Sequence, residues 1–285
     1  MKLIIIVLLF LNVSLADENG ISFWFAGQFS SLVAKEKTPK WILDFKIYYI
    51  NNKISYPGGT VKTKSPYLFL EPTFSPNTKW FGGQPSFTLS QGYGYDESTS
   101  KNLTQTKWDL SNMYPFGEIA WNRENHNLMV YIMGGLPVGT YNPNSLANLG
   151  TGHYALDLGF GYTYLNKTSG FESSALLGFT YNFINSKTDY KNGIDSHLDY
   201  AISNFFSENW ELGVVGYVYY QLSGDSGSGA DLGPFKSKGA ALGPEGTYFF
   251  KSGSNISLRG YYDFWKENRP GGLSVFAVYT IKFPN

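Results

Sequence analysis

The stretch "GDSGSG" at 224–229 has the composition of a serine nucleophile segment, and the chain holds three histidines that could serve it as base, His126, His153 and His197. Serine catalysis needs that base within hydrogen-bond reach and a third group to orient it. Nothing in the spacing selects a histidine for Ser226. His126 falls in an expected turn, and His153 and His197 fall at expected strand ends near long loops. The expectation is therefore an outer loop of ordinary Gly/Ser/Asp turn chemistry, with each histidine solvated or bonded within a loop. Asp225 and Asp231 are oxygen donors for a Ca²⁺ ion, but such a site needs several more ligands. No two histidines have metal-ligand spacing. The chain has no cysteine, so thiol catalysis, disulfides and Cys-ligated metals are excluded. Glycine runs sit inside strand-like segments and open no helix, which removes a phosphate cradle. No catalytic set, metal site or cofactor is expected.

The ionisable residues that remain stand at alternate positions in strand-like segments, and those segments decide what they face. In "GHYALDLGFGYTYL" (152–165), Tyr154, Leu156, Leu158, Phe160, Tyr162 and Tyr164 alternate with His153, Ala155, Asp157, Gly159, Gly161 and Thr163. Successive side chains of a strand point to opposite faces. A soluble sheet would carry Lys and Glu on its polar face, whereas this one carries small residues and a single carboxylate. About twelve such segments recur, at 40–51, 64–74, 84–95, 112–122, 127–136, 153–165, 171–183, 197–206, 210–222, 239–250, 255–265 and 272–283. Most are near the ~10 residues that cross a bilayer when tilted. Tight polar links ("RENHN", "NKTSG", "SEN", "KSGSN") alternate with long ones such as "PVGTYNPNSLANLGT" and "SGDSGSGADLGPFKSK". Short turns at one end and long loops at the other mark a transmembrane barrel.

Composition agrees. Charged residues are 15% of the chain and aromatics 18%, with 32 glycines and no net charge, against about 25% charged in typical soluble domains. No basic block suggests nucleic acid as a partner. The first residues, "MKLIIIVLLFLNVSLADENG", have the lysine, apolar run and small residues of a secretory signal peptide cleaved after Ala16. The expected plan is a signal peptide (1–16), an N-terminal segment (17–39) and an all-β, antiparallel up-and-down barrel (40–285) exported to the outer membrane. Lipid surrounds such a barrel, and barrel-assembly machinery inserts it. The chain ends on an alternating strand, as outer-membrane barrels do, although Pro284 and Asn285 follow the last Phe. A soluble β-sandwich accounts for the alternation but not for the ordered links.

In this phase the lumen receives Asp44, Tyr48, Glu118, Met129, Tyr131, Met133, Asp157, Asp199, Glu211, Tyr217, Tyr219, Arg259, Tyr261, Asp263 and Phe276. A few ionisable groups among many aromatic ones suit passage of a small hydrophobic or aromatic solute. The alternatives are a closed structural or adhesive barrel in which Arg259 pairs with carboxylates such as Asp157, and a lipid-modifying enzyme with a His–Ser pair.

Long stretches also resemble one family. They are "SFWFAGQFSSLVA", "YPFGEIAWNRENHNLMVYIMGGLPVGTYNPNSLANLGTGHYALDLGFGYTYLN", "GFTYNFINSKTDYKNGIDSHLDYAIS", "GVVGYVYYQLSGDSGSGADLGPFKSKGAALGPEGTYFF" and "NRPGG". Together they are similar to the bacterial family associated with a MetA pathway of phenol degradation, most strongly over 113–269. The resemblance implies an outer-membrane barrel that takes up aromatic or other hydrophobic compounds, and the family's association with phenol catabolism does not imply a reaction performed by this chain. By analogy with long-chain fatty-acid transporters it also implies that residues 17–39, with Phe23, Trp24, Phe25 and Phe29, fold into the lumen as a plug.

Overall fold

The computed structural model describes residues 17–20, 22–37, 40–56, 59–231 and 233–283; the expected signal peptide and the last two residues lie outside the described residues. Twelve strands follow one another: β1 (Lys40–Tyr56), β2 (Gly59–Ser75), β3 (Gln84–Ser100), β4 (Leu103–Arg123), β5 (His126–Gly135), β6 (Ala155–Leu165), β7 (Phe171–Asn182), β8 (Asp195–Phe205), β9 (Trp210–Gln221), β10 (Lys238–Phe249), β11 (Asn255–Glu267) and β12 (Gly271–Lys282). Each pairs antiparallel with its sequence neighbours, and β1 closes on β12 with Phe45 opposite Tyr279 and Tyr48 opposite Phe276. Closure leaves no unpaired edge, which is the condition for a sheet to sit in hydrocarbon.

The outer face is apolar around the circumference. Ile47, Leu68, Leu128, Val130, Ile132, Leu158, Ile202, Leu212, Val214 and Leu258 form an exposed aliphatic band. Aromatic residues border it on both sides. At the end where β1 begins, Trp41 lies 5.0 Å from Phe74 and Trp210 4.9 Å from Tyr248; at the opposite end Tyr93 stacks near Trp108 at 5.9 Å and Tyr181 near Phe183 at 5.1 Å. Two aromatic girdles about an aliphatic band are the lipid-facing surface of a membrane barrel. In "GHYALDLGFGYTYL" the expected faces hold: Tyr154, Leu158, Phe160 and Tyr162 are exposed, and His153, Ala155, Asp157 and Thr163 are buried.

The first four strands depart from the expectation. They run 17 to 21 residues, so the anticipated loops before 64 and 112 are the upper parts of two long hairpins. Threonine and serine alternate through these stretches and pair across strands, Thr63 with Ser98 at 3.0 Å and Thr99 with Thr104 at 3.0 Å. Such residues suit a pleated, half-wet surface. They carry no hydrophobic signal to extend a transmembrane reading, which explains the short estimate.

Candidate functional site

The N-terminal segment occupies the lumen from end to end. Asp17 and Glu18 lie at the loop end, where Glu18 N–H donates to Asn192 Oδ1 at 3.0 Å and Glu18 Oε2 accepts from Asn185 at 2.8 Å. At the turn end Lys37 meets Glu118 at 3.1 Å, and Glu36 N–H donates to Asn122 at 3.1 Å. Among its described residues the segment makes no regular secondary structure apart from a short 3-10 turn, Glu18–Gly20, so its backbone donors need acceptors from the wall. Glu172 Oε1 accepts from Leu32 N–H at 2.9 Å, Thr163 from Ala34 N–H at 3.1 Å and Glu245 from Ser31 N–H at 3.4 Å. Arg259 supplies the opposite chemistry. Its guanidinium donates to the carbonyls of Gly27 and Gln28 and to Ser30 Oγ at 2.9 to 3.3 Å, with Glu245 3.9 Å away. Gly27 has φ +76°, and a Cβ there would lie 2.6 Å from the Tyr261 ring. Only glycine lets the segment pass that wall.

One side of the lumen is packed and polar. Asp157 on β6 accepts from Tyr131 on β5 and Thr180 on β7, both at 2.5 Å, and lies 3.3 Å from His197 Nε2 on β8. His197 Nδ1 is 3.1 Å from Asp199, and Trp24 stacks on the imidazole at 4.6 Å between centroids. Gly178, between these strands, leaves the room they use: a Cβ there would meet Tyr131 Oη at 2.1 Å and His197 Nε2 at 2.3 Å. The reading of His197 as solvated or bonded within a loop is corrected, since it is 1% exposed and its partners Asp157 and Asp199 stand on strands. Its register on β8 aims it inward across a glycine, and position along the strand alone suggested a loop. Arg259 also does not pair with Asp157, whose partners are Tyr131, Thr180 and His197.

The other side is hollow. A cavity of about 480 Å³ opens from the turn end, and a second of about 550 Å³ from the loop end. Neither is lined by any residue of β6, β7 or β8. Both are lined by Phe25, Tyr48 and Tyr114. Phe25 stands edge-on to Tyr48, Phe69 and Tyr114 at 5.3 to 5.7 Å between centroids, the geometry aromatic quadrupoles favour. Its ring belongs to the threaded segment, and the rings around it belong to the wall.

The anticipated inward residues divide between these sides. Asp44, Tyr48, Glu118, Met129, Met133, Glu211, Arg259 and Phe276 line the turn-end cavity; Tyr48, Tyr217 and Asp263 line the loop-end one. Tyr131, Asp157, Asp199, Tyr219 and Tyr261 are buried and line neither. Phe23 and Trp24 are buried, Trp24 with an edge on the loop-end cavity, and Phe25 and Phe29 line the turn-end one. Glu172, Glu245 and Arg269 escaped the inward reading of the sequence. Period-two counting along β7 puts Glu172 in line with Ser174 and Thr180, so that signal was present; no local pattern marks Arg269, which comes in from a turn.

A hydrolytic centre is not assembled among the described residues. His153 contacts Thr151 O at 3.1 Å and Asn182 at 3.2 Å, which is the loop-bonded state expected of it, and burial lowers its pKa. His126 is exposed and bonds Tyr162 at 2.7 Å. Ser226 is a loop residue tied by its backbone to Lys191. Asp225 is not arranged for a Ca²⁺ ion: N–H and O–H donors from Gly193, Gln221 and Tyr190 occupy its oxygens at 2.6 to 3.0 Å.

A family model described as "Putative MetA-pathway of phenol degradation" matches residues 49–279. The chain belongs to that family. Among solved structures, an outer membrane channel from Pseudomonas putida F1 superposes on 87% of this chain and 97% of its own, with a TM-score of 0.70 and 12% identity. The translocator domain of the autotransporter NalP from Neisseria meningitidis covers 88% and 91%, with a TM-score of 0.56 and 12% identity. At these identities the likeness is one of fold. No curated protein matches the chain in sequence.

Proposed function

We propose that this family member is a channel of the outer membrane that passes small hydrophobic or aromatic compounds along the hollow side of its lumen, without covalent chemistry. A signal peptide cleaved after Ala16 takes the chain across the inner membrane, and the turn end, which receives the start of β1 and the end of β12, faces the periplasm. The observation that carries the reading is the pair of cavities, one from each end, that meet at Phe25, Tyr48 and Tyr114. The partition consists of rings, and one of them stands on a segment with no strand of its own. A solute that is itself a flat ring replaces Phe25 against Tyr48 and Tyr114 with similar edge and face contacts, worth about 0.5–1.5 kcal/mol per pair. A sugar offers no such exchange. The family's link with phenol degradation supports the same solute class.

Phe25→Ala opens the partition. In liposomes carrying the purified protein, this variant is expected to raise phenol entry several-fold and to admit small sugars that the unaltered protein holds back. Equal entry of phenol and sugars through the unaltered protein sinks the selective reading. Silence of both proteins, in liposomes and in planar bilayers, returns a closed structural barrel. The lipid-modifying alternative predicts phospholipid turnover lost in His153→Ala or Ser226→Ala.

A further inference from the structure

The loop end of the threaded segment terminates in a buried pocket rich in carboxylates. Asp17 N lies 3.0 Å from Asp225 Oδ2, and both residues are nearly inaccessible, 2% and 4% exposed. Asp17 Oδ2 accepts from Ser237 Oγ at 2.9 Å and Tyr219 Oη at 3.2 Å, while its Oδ1 has no partner. Asp195, fully buried within electrostatic reach, also has an oxygen without a partner. Positive charge comes from Arg269, stacked on the Tyr219 ring at 4.2 Å. Three buried carboxylates against one guanidinium leave the pocket short of cations. Burial first, and the neighbouring Asp225 second, push the Asp17 carboxyl up to about 6, the response of an acid to desolvation and like charge.

We propose that cleavage between Ala16 and Asp17 makes the missing cation: the new α-ammonium of Asp17 pairs with Asp225 and latches the outer end of the segment to the loops carrying Asn192, Asp225 and Ser237. The inference rests on the cleavage reading and is independent of which solute passes. Hydrolysis adds water across the peptide bond, leaving a carboxylate on Ala16 and an amine on Asp17, which takes up a proton. An amide nitrogen at that position offers one neutral donor. The ammonium offers three donors and a full charge, and the unpartnered Asp17 oxygen is on the same residue. Charge-assisted hydrogen bonds are roughly twice as strong as neutral ones, and pairing removes the burial cost of Asp225. Position matters as well as charge. A chain one residue longer keeps an amide at Asp17 and carries its ammonium elsewhere, so the latch belongs to the correctly processed protein alone.

The test is amine reactivity of protein purified from the outer membrane. Mass spectrometry is expected to find Asp17 as first residue, and an amine-selective acylating reagent near neutral pH is expected to modify its α-amine about tenfold or more slowly in folded than in urea-unfolded protein, as burial behind a local opening requires. Inserting one glycine between Ala16 and Asp17 should restore the unfolded rate and make the single-channel current flicker, with barrel folding checked by heat-modifiable migration. Asp225→Asn should do the same; if it fails to fold, the insertion variant and the folded-state rate still decide. A folded protein that begins at Asp17 and reacts at the unfolded rate overturns the latch and leaves the cleavage reading intact. A first residue other than Asp17 overturns both. Unchanged current and protection in the insertion variant also overturn the latch.

Discussion

Strands β6 to β8 and strands β1 to β3 present the same alternation to the same threaded segment, yet one side is filled and the other hollow. The difference lies in what the inward positions carry. On β6 to β8 they pair small residues with carboxylates and one histidine: Asp157, Thr163, Glu172, Ser174, His197, Asp199. Short polar groups beside glycine let the segment approach until backbone donors and Trp24 make direct contact. On β1 and β2 the inward positions beside the segment carry large rings, Tyr48, Tyr67 and Phe69, with Asp44, Lys46 and Glu71 toward the turn end. Rings reach far and hydrogen-bond little, so they hold Phe25 at its edge and leave space beneath and above. Grip and passage are therefore separated around the circumference, and substitutions on the two sides should differ in kind.

The largest effect is expected on the filled side. His197→Ala removes the group between Asp157 and Asp199 and strands two buried carboxylates, a loss of about 3–5 kcal/mol by the cost of breaking a buried pair; urea unfolding in detergent measures it. A loss under about 1 kcal/mol, the range of an exposed pair, would mean that the filled side does not hold the segment. Gly178→Ala on the same side forces a Cβ onto Tyr131 and His197 and should cost about 1–3 kcal/mol by overpacking, read from the same unfolding curve. Phe25→Ala on the hollow side gives up edge contacts with Tyr48, Phe69 and Tyr114, about 0.5–1.5 kcal/mol each, but strands no buried charge, so it should cost less than His197→Ala while changing permeation strongly. The comparison breaks if Phe25→Ala unfolds the barrel and His197→Ala opens it. Smallest is Lys79→Ala. The Lys79–Glu36 contact of 3.0 Å is half-exposed, and its removal should leave stability within about 1 kcal/mol and permeation unchanged.

Much of this arrangement was legible in residue order, for reasons that can be named. Lipid on one face and a shared interior on the other force period two, so Leu158 and Asp157 had assigned sides before any coordinates. The Thr/Ser extensions of β1 to β4 were not legible, because strands outside the membrane carry no apolar row. His197 was misread because a strand-end position says nothing about a glycine on the neighbouring strand. Asp17 and Asp225 stand 208 residues apart, and no local pattern links them.

The sequence by itself determined the antiparallel barrel, its lipid-facing row and the aromatic character of the interior, because these follow from the alternation each strand carries and from the order of short and long links. Tertiary structure decided which inward residues touch one another: that Asp157 meets His197 rather than Arg259, that Arg259 holds the carbonyls of Gly27 and Gln28, and that the space left over lies away from β6 to β8. Those outcomes depend on barrel closure and on the course of a segment without periodicity, and both bring together residues far apart in the chain.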